Sequence, residues 1–314
     1  MQINSNTEYQ FSKSQKAALS RDLAALGNTY LEDPNRFQAL ARMIVQQYLP
    51  VDPLIMHEQV KNNSGFVVIR NLPIDDILPQ TPQNGTRPLN KAAVTEAVLL
   101  GVVSALHYKP LAYTQEKEGA VVHEIAPVKA QSKSVSSNGI LNFDFHTDGS
   151  HISRDIRPHI LSLFCLRDTA QTPTKLCRLA DALSSMDHAD VLELMTANFI
   201  HTPPETFGYM APVRGPILCR NGDRIEASVS THNVQPQTTA AAAALEKFRE
   251  CVEHHHQKIF WNPGDLLIFN NLRCLHARGE IKGDRWLQRC YGTENLNMSN
   301  VVDLSKMPPP NHAN

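Results

Sequence analysis

The sequence predicts an α+β fold in which a mainly β core of sandwich or barrel type carries flanking helices. Helical spacing of apolar residues dominates the first hundred residues, and short strand-like runs recur from about residue 120. A hydrophobic fraction of 42% provides enough material for a large core. The chain has no Gly-rich phosphate loop, and its regularly spaced short strands do not resemble the strand–helix alternation of a parallel sheet.

Helical patterns dominate the N-terminal part of the chain. Helices are expected at 14–26, at 35–49 and at about 91–106. The first is expected to end at Gly27, a residue type common just after helices. The run SGFVVIRNLP at 64–73 is short, β-branched and closed by a proline, which indicates a buried strand. Residues 75–90 are rich in Pro, Gln, Asn and Thr and predict an exposed loop.

The β core is predicted from short apolar runs that are bounded by turn residues. These runs are GAVVHEI (119–125), GILNFDFH (139–146), HILSLFCLR (159–167), TKLCRLA (174–180), DRIEASV (223–229), QKIFW (257–261), DLLIFNN (265–271) and RWLQRCYG (285–292). An Ala-rich helix is expected at about 238–255, and PPPNHAN at 308–314 is expected to be disordered. We predict one domain over 1–314, with a helical part at 1–60, a core with helical insertions at 61–295 and a tail at 296–314.

Neither the charge balance nor the apolar pattern of the chain predicts a nucleic-acid-binding or membrane protein. The chain has 30 basic and 31 acidic residues. It therefore lacks the excess of positive charge that would predict a nucleic-acid partner. The most apolar window, AVLLGVVSALHY at 97–108, is too short to span a bilayer, and the N-terminus lacks the apolar region of a secretory signal. The six cysteines form no CxxC pair, which favours reduced thiols in a cytoplasmic protein. The sequence does not predict an oligomeric state.

The segment FDFHTDG at 143–149 carries the strongest local signal for a metal site. In a strand, His146 and Asp148 would point to the same side and present an imidazole and a carboxylate together. His276, in NNLRCLHAR at 270–278, is the best third ligand. Two His and one carboxylate form the facial triad of non-haem Fe(II) oxygenases, which leaves positions open for co-substrate and O₂. Alternatively, His146 simply ends a strand and Asp148 begins a turn with Gly149.

Two arginines follow the distant histidine. Arg285 and Arg289, in DRWLQRCY at 284–291, lie four apart in a predicted strand and therefore point to one face. Guanidinium groups make bidentate contacts with carboxylates, so a pair beside a metal suits a dicarboxylate. The alternative is a solvated strand face.

The order of four motifs resembles the clavaminate synthase-like branch of the taurine dioxygenase superfamily. These motifs are HTD (146–148), WNPGDLLIFNN (261–271), LHAR (275–278) and DRWLQR (284–289), and GFVVIRNLP (65–73) is also similar. The resemblance runs from about residue 62 to about 293. It implies a double-stranded β-helix, or jelly roll. It also implies a non-haem Fe(II)- and 2-oxoglutarate-dependent dioxygenase that uses O₂. Members of this branch act on clavam precursors or hydroxylate free amino acids such as arginine and asparagine.

The resemblance implies roles for individual residues. His146, Asp148 and His276 match the iron ligands, although the amino-acid hydroxylases of this branch often have Glu at the second position. Arg285 and Thr174 match the residues that hold the distal carboxylate of 2-oxoglutarate. Arg289 matches a residue that faces the substrate carboxylate in several relatives. The interval from His276 to Arg285 is short for the branch, so both arginines stay open as the principal 2-oxoglutarate anchor.

Further substrate-binding candidates are Asn142, His151 and Glu226. Arginine-hydroxylating relatives hold the guanidinium with paired acidic residues before the Ala-rich helix. Here Glu226 is the only acidic residue at 224–232, so free arginine is not favoured. The expected substrate is a free or carrier-bound amino acid or a similar small molecule.

The expected reaction converts 2-oxoglutarate to succinate and CO₂ and hydroxylates the substrate. Desaturation or ring closure would use the same residues, and halogenation is disfavoured because Asp148 retains a carboxylate. The sequence leaves two other classes of protein as alternatives. A zinc hydrolase has no use for paired arginines, and Glu124 and Glu226 occupy no recognisable base motif. A non-catalytic β-sandwich that binds a small acid would retain binding after Asp148→Ala.

Overall fold

The structure is a computed structural model that describes residues 7–27, 29–169, 171–207 and 210–307. The segment predicted to be disordered, 308–314, lies outside the described residues.

The helices form two groups, one before residue 106 and one between the core strands. They are α1 (Lys13–Ala24), α2 (Thr29–Glu32), α3 (Pro34–Tyr48), α4 (Pro53–Lys61), α5 (Val94–Ala105), α6 (Leu179–Leu183), α7 (His188–Leu194) and α8 (Thr239–His255). The predicted helices therefore correspond to α1, α3, α5 and α8. The expected C-cap at Gly27 is wrong, because Ala25 caps α1 and Gly27 lies in the turn beyond it. Helix α4 was not predicted, although Asp52 caps it and Pro53 begins it.

Each predicted strand run contains a strand. The strands are β1 (Glu8–Gln10), β2 (Phe66–Arg70), β3 (Lys109–Tyr113), β4 (Val122–Ile125), β5 (Phe143–His146), β6 (Ile160–Asp168), β7 (Thr174–Arg178), β8 (Phe199–His201), β9 (Val213–Gly215), β10 (Leu218–Asn221), β11 (Arg224–Ala227), β12 (Val234–Pro236), β13 (Gln257–Ile259), β14 (Leu266–Asn270), β15 (Cys274–Arg278), β16 (Arg285–Thr293) and β17 (Val301–Val302). Strand β15, which carries His276, was not among the predicted runs.

Two of the sheets in the described part of the chain build the core. The large sheet has the order β1-β2-β14-β6-β16-β3-β17, with β4 also paired to β16, and the small sheet has the order β13-β7-β15-β5. Pairing is antiparallel except for β1 with β2 and β3 with β17. Leu163 and Leu287 of the large sheet share one hydrophobic cluster with Leu176 of the small sheet, so the sheets pack face to face. The α+β class is confirmed, because the described residues form both sheets and helices.

Helices cover the outer faces of both sheets. Phe37 of α3 and Val98 of α5 pack in a cluster with Trp286 of the large sheet. On the other side, Phe248 of α8 packs in a cluster with Leu275 of the small sheet. Each sheet is therefore shielded from solvent on its outer face. The space between the sheets is a low-dielectric environment, in which charged groups interact more strongly than in water.

A buried polar network fixes strand β16 from its helical side. Gln288 donates to Glu96 of α5 at 3.2 Å and to Glu124 of β4 at 3.0 Å. Lys91, whose side chain is 0% exposed, contacts Glu96 at 2.6 Å and Asp75 at 2.6 Å. Because Gln288 lies between Arg285 and Arg289 in sequence, this network holds the strand that presents both arginines to the opposite face.

The first and the last strand of the described residues, β1 and β17, both belong to the large sheet. The predicted tail therefore contains a strand, at Val301–Val302. The division at 60 and 295 stays a prediction.

Every residue of α5 is buried, and no helix among the described residues is long and apolar enough to cross a membrane. All six cysteines are free.

Candidate metal centre and two adjoining cavities

The three predicted ligands come together at one edge of the small sheet. His146 ends β5, and it faces His276 across the antiparallel pair of β5 and β15. The two ring centroids lie 4.0 Å apart. One possible ligand atom from each of His146, Asp148 and His276 lies within 4.8 Å of the others, and all three residues are buried. The sheet pairing itself brings the imidazoles together.

Asp148 reaches this cluster from a turn rather than from the strand. The expectation that it shares a strand with His146 is wrong, because β5 ends at His146. The side chain of Asn271 holds the turn: its Oδ1 accepts from the Asp148 amide at 2.9 Å, and its Nδ2 donates to the Asp148 carbonyl at 2.9 Å. Nδ2 also donates to the Pro158 carbonyl at 3.0 Å. Sequence reasoning missed Asn271, although it lies five residues before His276.

The donor atoms suit a divalent metal. Nδ1 of His146 lies 2.8 Å from the Asp144 carbonyl oxygen, which can only accept. Nδ1 therefore carries the hydrogen, and Nε2 has the lone pair that a metal needs. Nε2 of His146 lies 3.3 Å from Oδ1 of Asp148, and Nε2 of His276 lies 3.8 Å from the same oxygen. Burial and the neighbouring His146 lower the pKa of His276 to about 3, which leaves this imidazole neutral.

Arg289 donates a hydrogen bond to the other carboxylate oxygen of Asp148. Its Nη1 donates to Oδ2 of Asp148 at 2.8 Å, and its Nη2 donates to Oε1 of Glu116 at 2.5 Å. Burial by itself would raise the pKa of Asp148, but the positive charge of Arg289 outweighs it. The pKa of Asp148 therefore lies below its ordinary value, and the side chain is an anionic carboxylate with Oδ1 beside both imidazoles.

A first cavity extends from the histidines toward Arg285. Its polar lining is Ser137, His146, Thr174, His276, Arg278, Arg285 and Arg289. The Thr174 hydroxyl accepts from Trp261 Nε1 at 3.2 Å, which leaves its own hydrogen to donate. Arg285 is buried, and its Nε lies 3.6 Å from an Asp168 oxygen. Leu163 and Leu287 provide apolar walls.

Arg278 is a lining residue that sequence reasoning missed. It donates to the carbonyl oxygens of Gly139 at 2.8 Å and Leu141 at 2.8 Å, so it holds the segment before β5 against β15. Burial and the nearby Arg285 lower the pKa of Arg278 to about 9. Its place two residues after His276 in LHAR was the only available signal.

A second cavity lies on the other side of the triad. Its lining includes Glu116, Asp148, His151 and Ser230, and it shares Ser137, Phe143, His146 and Arg289 with the first cavity. Oε2 of Glu116, Nε of Arg289 and both ring nitrogens of His151 are buried here and have no hydrogen-bond partner in the described part of the chain. Glu116 was also missed, because nothing in the local sequence TQEK marks it.

The structure does not bring two of the candidates to either cavity. Asn142 is exposed and donates to Asp144 Oδ1 at 2.8 Å. Glu226 is paired with Arg154 through two contacts of 2.7 Å and 2.7 Å. Neither residue lines the first or the second cavity. In contrast, Arg285, Arg289, Thr174 and His151 all line one cavity or both.

Comparison with known proteins gives consistent matches. Residues 56–291 match the family described as "Taurine catabolism dioxygenase TauD, TfdA family". An L-asparagine oxygenase of Streptomyces coelicolor is 28% identical over 251 residues, covering 76% of this chain and 74% of that protein. Clavaminate synthase 2 of Streptomyces clavuligerus is 26% identical over 251 residues, covering 74% and 75%.

A solved structure shares the fold. It is an asparagine oxygenase in complex with Fe(II), (2S,3S)-3-hydroxyasparagine and succinate, with a TM-score of 0.81 and 23% identity. The match covers 92% of this chain and 94% of that one.

Asn271→Ala should weaken metal binding without removing a candidate ligand. The change frees the turn that carries Asp148, and loss of such an orienting partner typically costs about 10–100-fold in metal affinity. Fe(II) affinity would be measured anaerobically by titration. Asn270→Ala is the matched control, because the Asn270 side chain accepts from the Leu272 amide next to Asn271 and makes no hydrogen bond with Asp148 in the described part of the chain. Equal affinities for the two variants would contradict the positioning role of Asn271.

Proposed function

This chain belongs to the taurine catabolism dioxygenase TauD, TfdA family, and we propose that it hydroxylates a free α-amino acid. It is an oxidoreductase that depends on Fe(II), 2-oxoglutarate and O₂, and its similarity to the clavaminate synthase-like branch is confirmed. We infer the substrate and the residue roles from the geometry of the two cavities. The similarity to the L-asparagine oxygenase of Streptomyces coelicolor over most of both chains supports an amino-acid substrate.

We assign iron to Nε2 of His146, Nε2 of His276 and Oδ1 of Asp148. Two neutral imidazoles and one carboxylate form the 2-His-1-carboxylate set of Fe(II) oxygenases. Iron(II), when bound there, supplies the activation of O₂ that the hydroxylation needs. Arg289 keeps Asp148 anionic through Oδ2 and leaves Oδ1 for the metal. The small sheet aligns both imidazoles before the metal arrives, which reduces the ordering that binding requires.

We assign 2-oxoglutarate to the first cavity. Its oxo-acid end would face the metal, and Arg285 with Thr174 would hold the distal carboxylate. Arg285 is the better anchor of the two arginines, because it lines only this cavity, whereas Arg289 is already engaged by Asp148 and Glu116. A guanidinium–carboxylate pair is stronger in this dry pocket than in water. Arg278 adds a second positive charge at the same end of the cavity.

The observation that carries the amino-acid proposal lies in the second cavity. Oε2 of Glu116 can accept, Nε of Arg289 can donate, and both are buried without a partner in the described residues. Buried polar atoms are normally paired, so these two point to a ligand that brings a donor and an acceptor together. The ammonium and carboxylate of a free α-amino acid provide both. A carrier-bound amino acid has no free carboxylate and is therefore less favoured.

The double-stranded β-helix and the cytoplasmic location stay predictions. The facing large and small sheets support the double-stranded β-helix, and the free cysteines support a cytoplasmic location. Desaturation or ring closure would use the same residues as hydroxylation. A zinc hydrolase or a non-catalytic small-acid-binding protein is not supported, since the chain belongs to a dioxygenase family. The oligomeric state is not predicted.

The iron assignment can be tested by spectroscopy without turnover. Adding Fe(II) and then 2-oxoglutarate under anaerobic conditions should produce a visible charge-transfer band in the wild-type protein. Asp148→Ala and His146→Ala should abolish the band, because each removes one ligand of the chelating site. His188→Ala, at an exposed position of α7, is the control and should retain the band. A folded wild-type protein without the band would refute the assignment.

The 2-oxoglutarate anchor can be tested by titrating the same band. Arg285→Met should weaken 2-oxoglutarate binding by about 10–100-fold, because it removes a charged hydrogen-bonded pair of about 1.5–3 kcal/mol. Arg285→Lys should recover part of the affinity, and Thr174→Val should cost about fivefold. Circular dichroism would verify folding. If Arg285→Met leaves the 2-oxoglutarate affinity of the iron-loaded protein unchanged, Arg285 is not the anchor.

The free α-amino acid can be tested by succinate release. Free L-amino acids should stimulate release, whereas N-acetylated or C-amidated forms should not, because each lacks one charge of the zwitterion. Glu116→Gln should raise the KM for the amino acid about tenfold through loss of the charged pair. Glu118→Gln is the matched control, since Glu118 is exposed two residues away. Stimulation by the amidated form alone would contradict the proposal.

A further inference from the structure

The second cavity contains a histidine whose ring has no polar partner. His151 lies three residues after Asp148 in the same turn, and its side chain lines this cavity. It is 1% exposed, and neither Nδ1 nor Nε2 makes a hydrogen bond in the described part of the chain. Leaving a buried polar group unpaired costs about 1–3 kcal/mol, so the ring is a candidate to contact a ligand in this cavity.

Apolar contacts hold the His151 ring in place. It packs edge-on against Phe207 at 4.7 Å, and Phe207 packs against Tyr113 at 5.7 Å. Gly149, with φ of 73°, forms the tight turn that leads to His151. Because the contacts that fix the ring are apolar, they leave both nitrogens for a ligand. Burial, followed by the charge of Arg157, lowers the pKa of His151 to about 3. A neutral ring has one donor and one acceptor.

The remaining lining of the second cavity offers no carboxylate to a positively charged side chain. Among the described lining residues the carboxylates are Glu116, which we assign to the substrate ammonium, and Asp148, which pairs with Arg289 and which we assign to iron. Glu226, another acidic residue of this region, is paired with Arg154. The other polar groups of the cavity are neutral hydroxyl, amide and imidazole groups, and they include Ser137, Ser150, Thr206, Ser230, His232 and Asn233.

We propose that His151 contacts the side chain of the amino-acid substrate, and that this side chain is uncharged and polar, ending in a carboxamide or a hydroxyl group. The inference rests on the proposed function and adds the substrate class. A cationic side chain would lose its hydration without gaining an ion pair, which is costly. An apolar side chain would leave the His151 nitrogens unpaired. A carboxamide or hydroxyl group can both donate and accept, as the lining requires.

The test is the specificity of succinate release by the full-length, iron-loaded protein. Asparagine, glutamine, serine and threonine would be compared with ornithine, lysine and arginine, and with leucine as an apolar analogue of asparagine. We expect kcat/KM to favour an uncharged polar amino acid by about tenfold or more, since sites built for hydrogen bonds reject analogues that lack them.

Variants of His151 then test the residue itself. His151→Phe should reduce the kcat/KM ratio of asparagine, or the best polar substrate, over its apolar analogue by about tenfold. His151→Gln should restore part of that ratio, because an amide both donates and accepts. If His151 has only a structural role, its substitution would lower kcat/KM for both substrates equally and leave their ratio unchanged. An unchanged ratio would therefore overturn the role of His151. If the variants do not fold, the wild-type comparison still decides the substrate class.

The outcomes separate this inference from the proposed function. If arginine or ornithine is the preferred substrate, the chain still hydroxylates a free amino acid, and only the uncharged class is overturned. If no amino acid stimulates succinate release, the proposed function fails, and the inference fails with it. The Fe(II)–2-oxoglutarate band would then show whether the metal site itself is intact.

Discussion

The buried ion pair between Arg289 and Asp148 connects the two sheets at the candidate active site. Arg289 belongs to β16 of the large sheet, and Asp148 lies in the turn after β5 of the small sheet. An isolated carboxylate in this dry space would be costly, and removing one partner of such a pair typically costs about 3–5 kcal/mol. The pair determines which oxygen of Asp148 stays beside the imidazoles. It also fixes where Arg289 meets Glu116.

The same pair separates the two cavities that meet at His146 and Arg289. Charges on the first side come from Arg278 and Arg285, so that cavity suits an anion with two carboxylates. On the second side, Arg289 pairs with both Asp148 and Glu116, and the other described lining residues are neutral. The difference in charge therefore suits each cavity to a different class of small molecule. Both molecules would lie beside the candidate metal-binding residues.

Most elements of the core could be predicted because their residue patterns are local. Short apolar runs between turn residues identified β6, β14 and β16, and helical spacing identified α3 and α5. Strand β15 was missed because CLHAR mixes apolar and charged residues and yet is buried along its whole length. Its charged members are tolerated there because Arg278 finds backbone carbonyls and His276 faces the other histidine. Such compensation is not visible in a local pattern.

The sequence by itself determined the family, and it identified the candidate triad and the paired arginines, because these depend on residue types and their order. Only the tertiary structure decided where the charges are paired. It placed Glu116 on Arg289, 173 residues away, and it paired Glu226 with Arg154 outside the cavities. Asp148 reaches the histidines through a turn that Asn271 holds. These contacts join residues far apart in the chain, so they follow from the pairing of strands and the packing of two sheets rather than from any local motif.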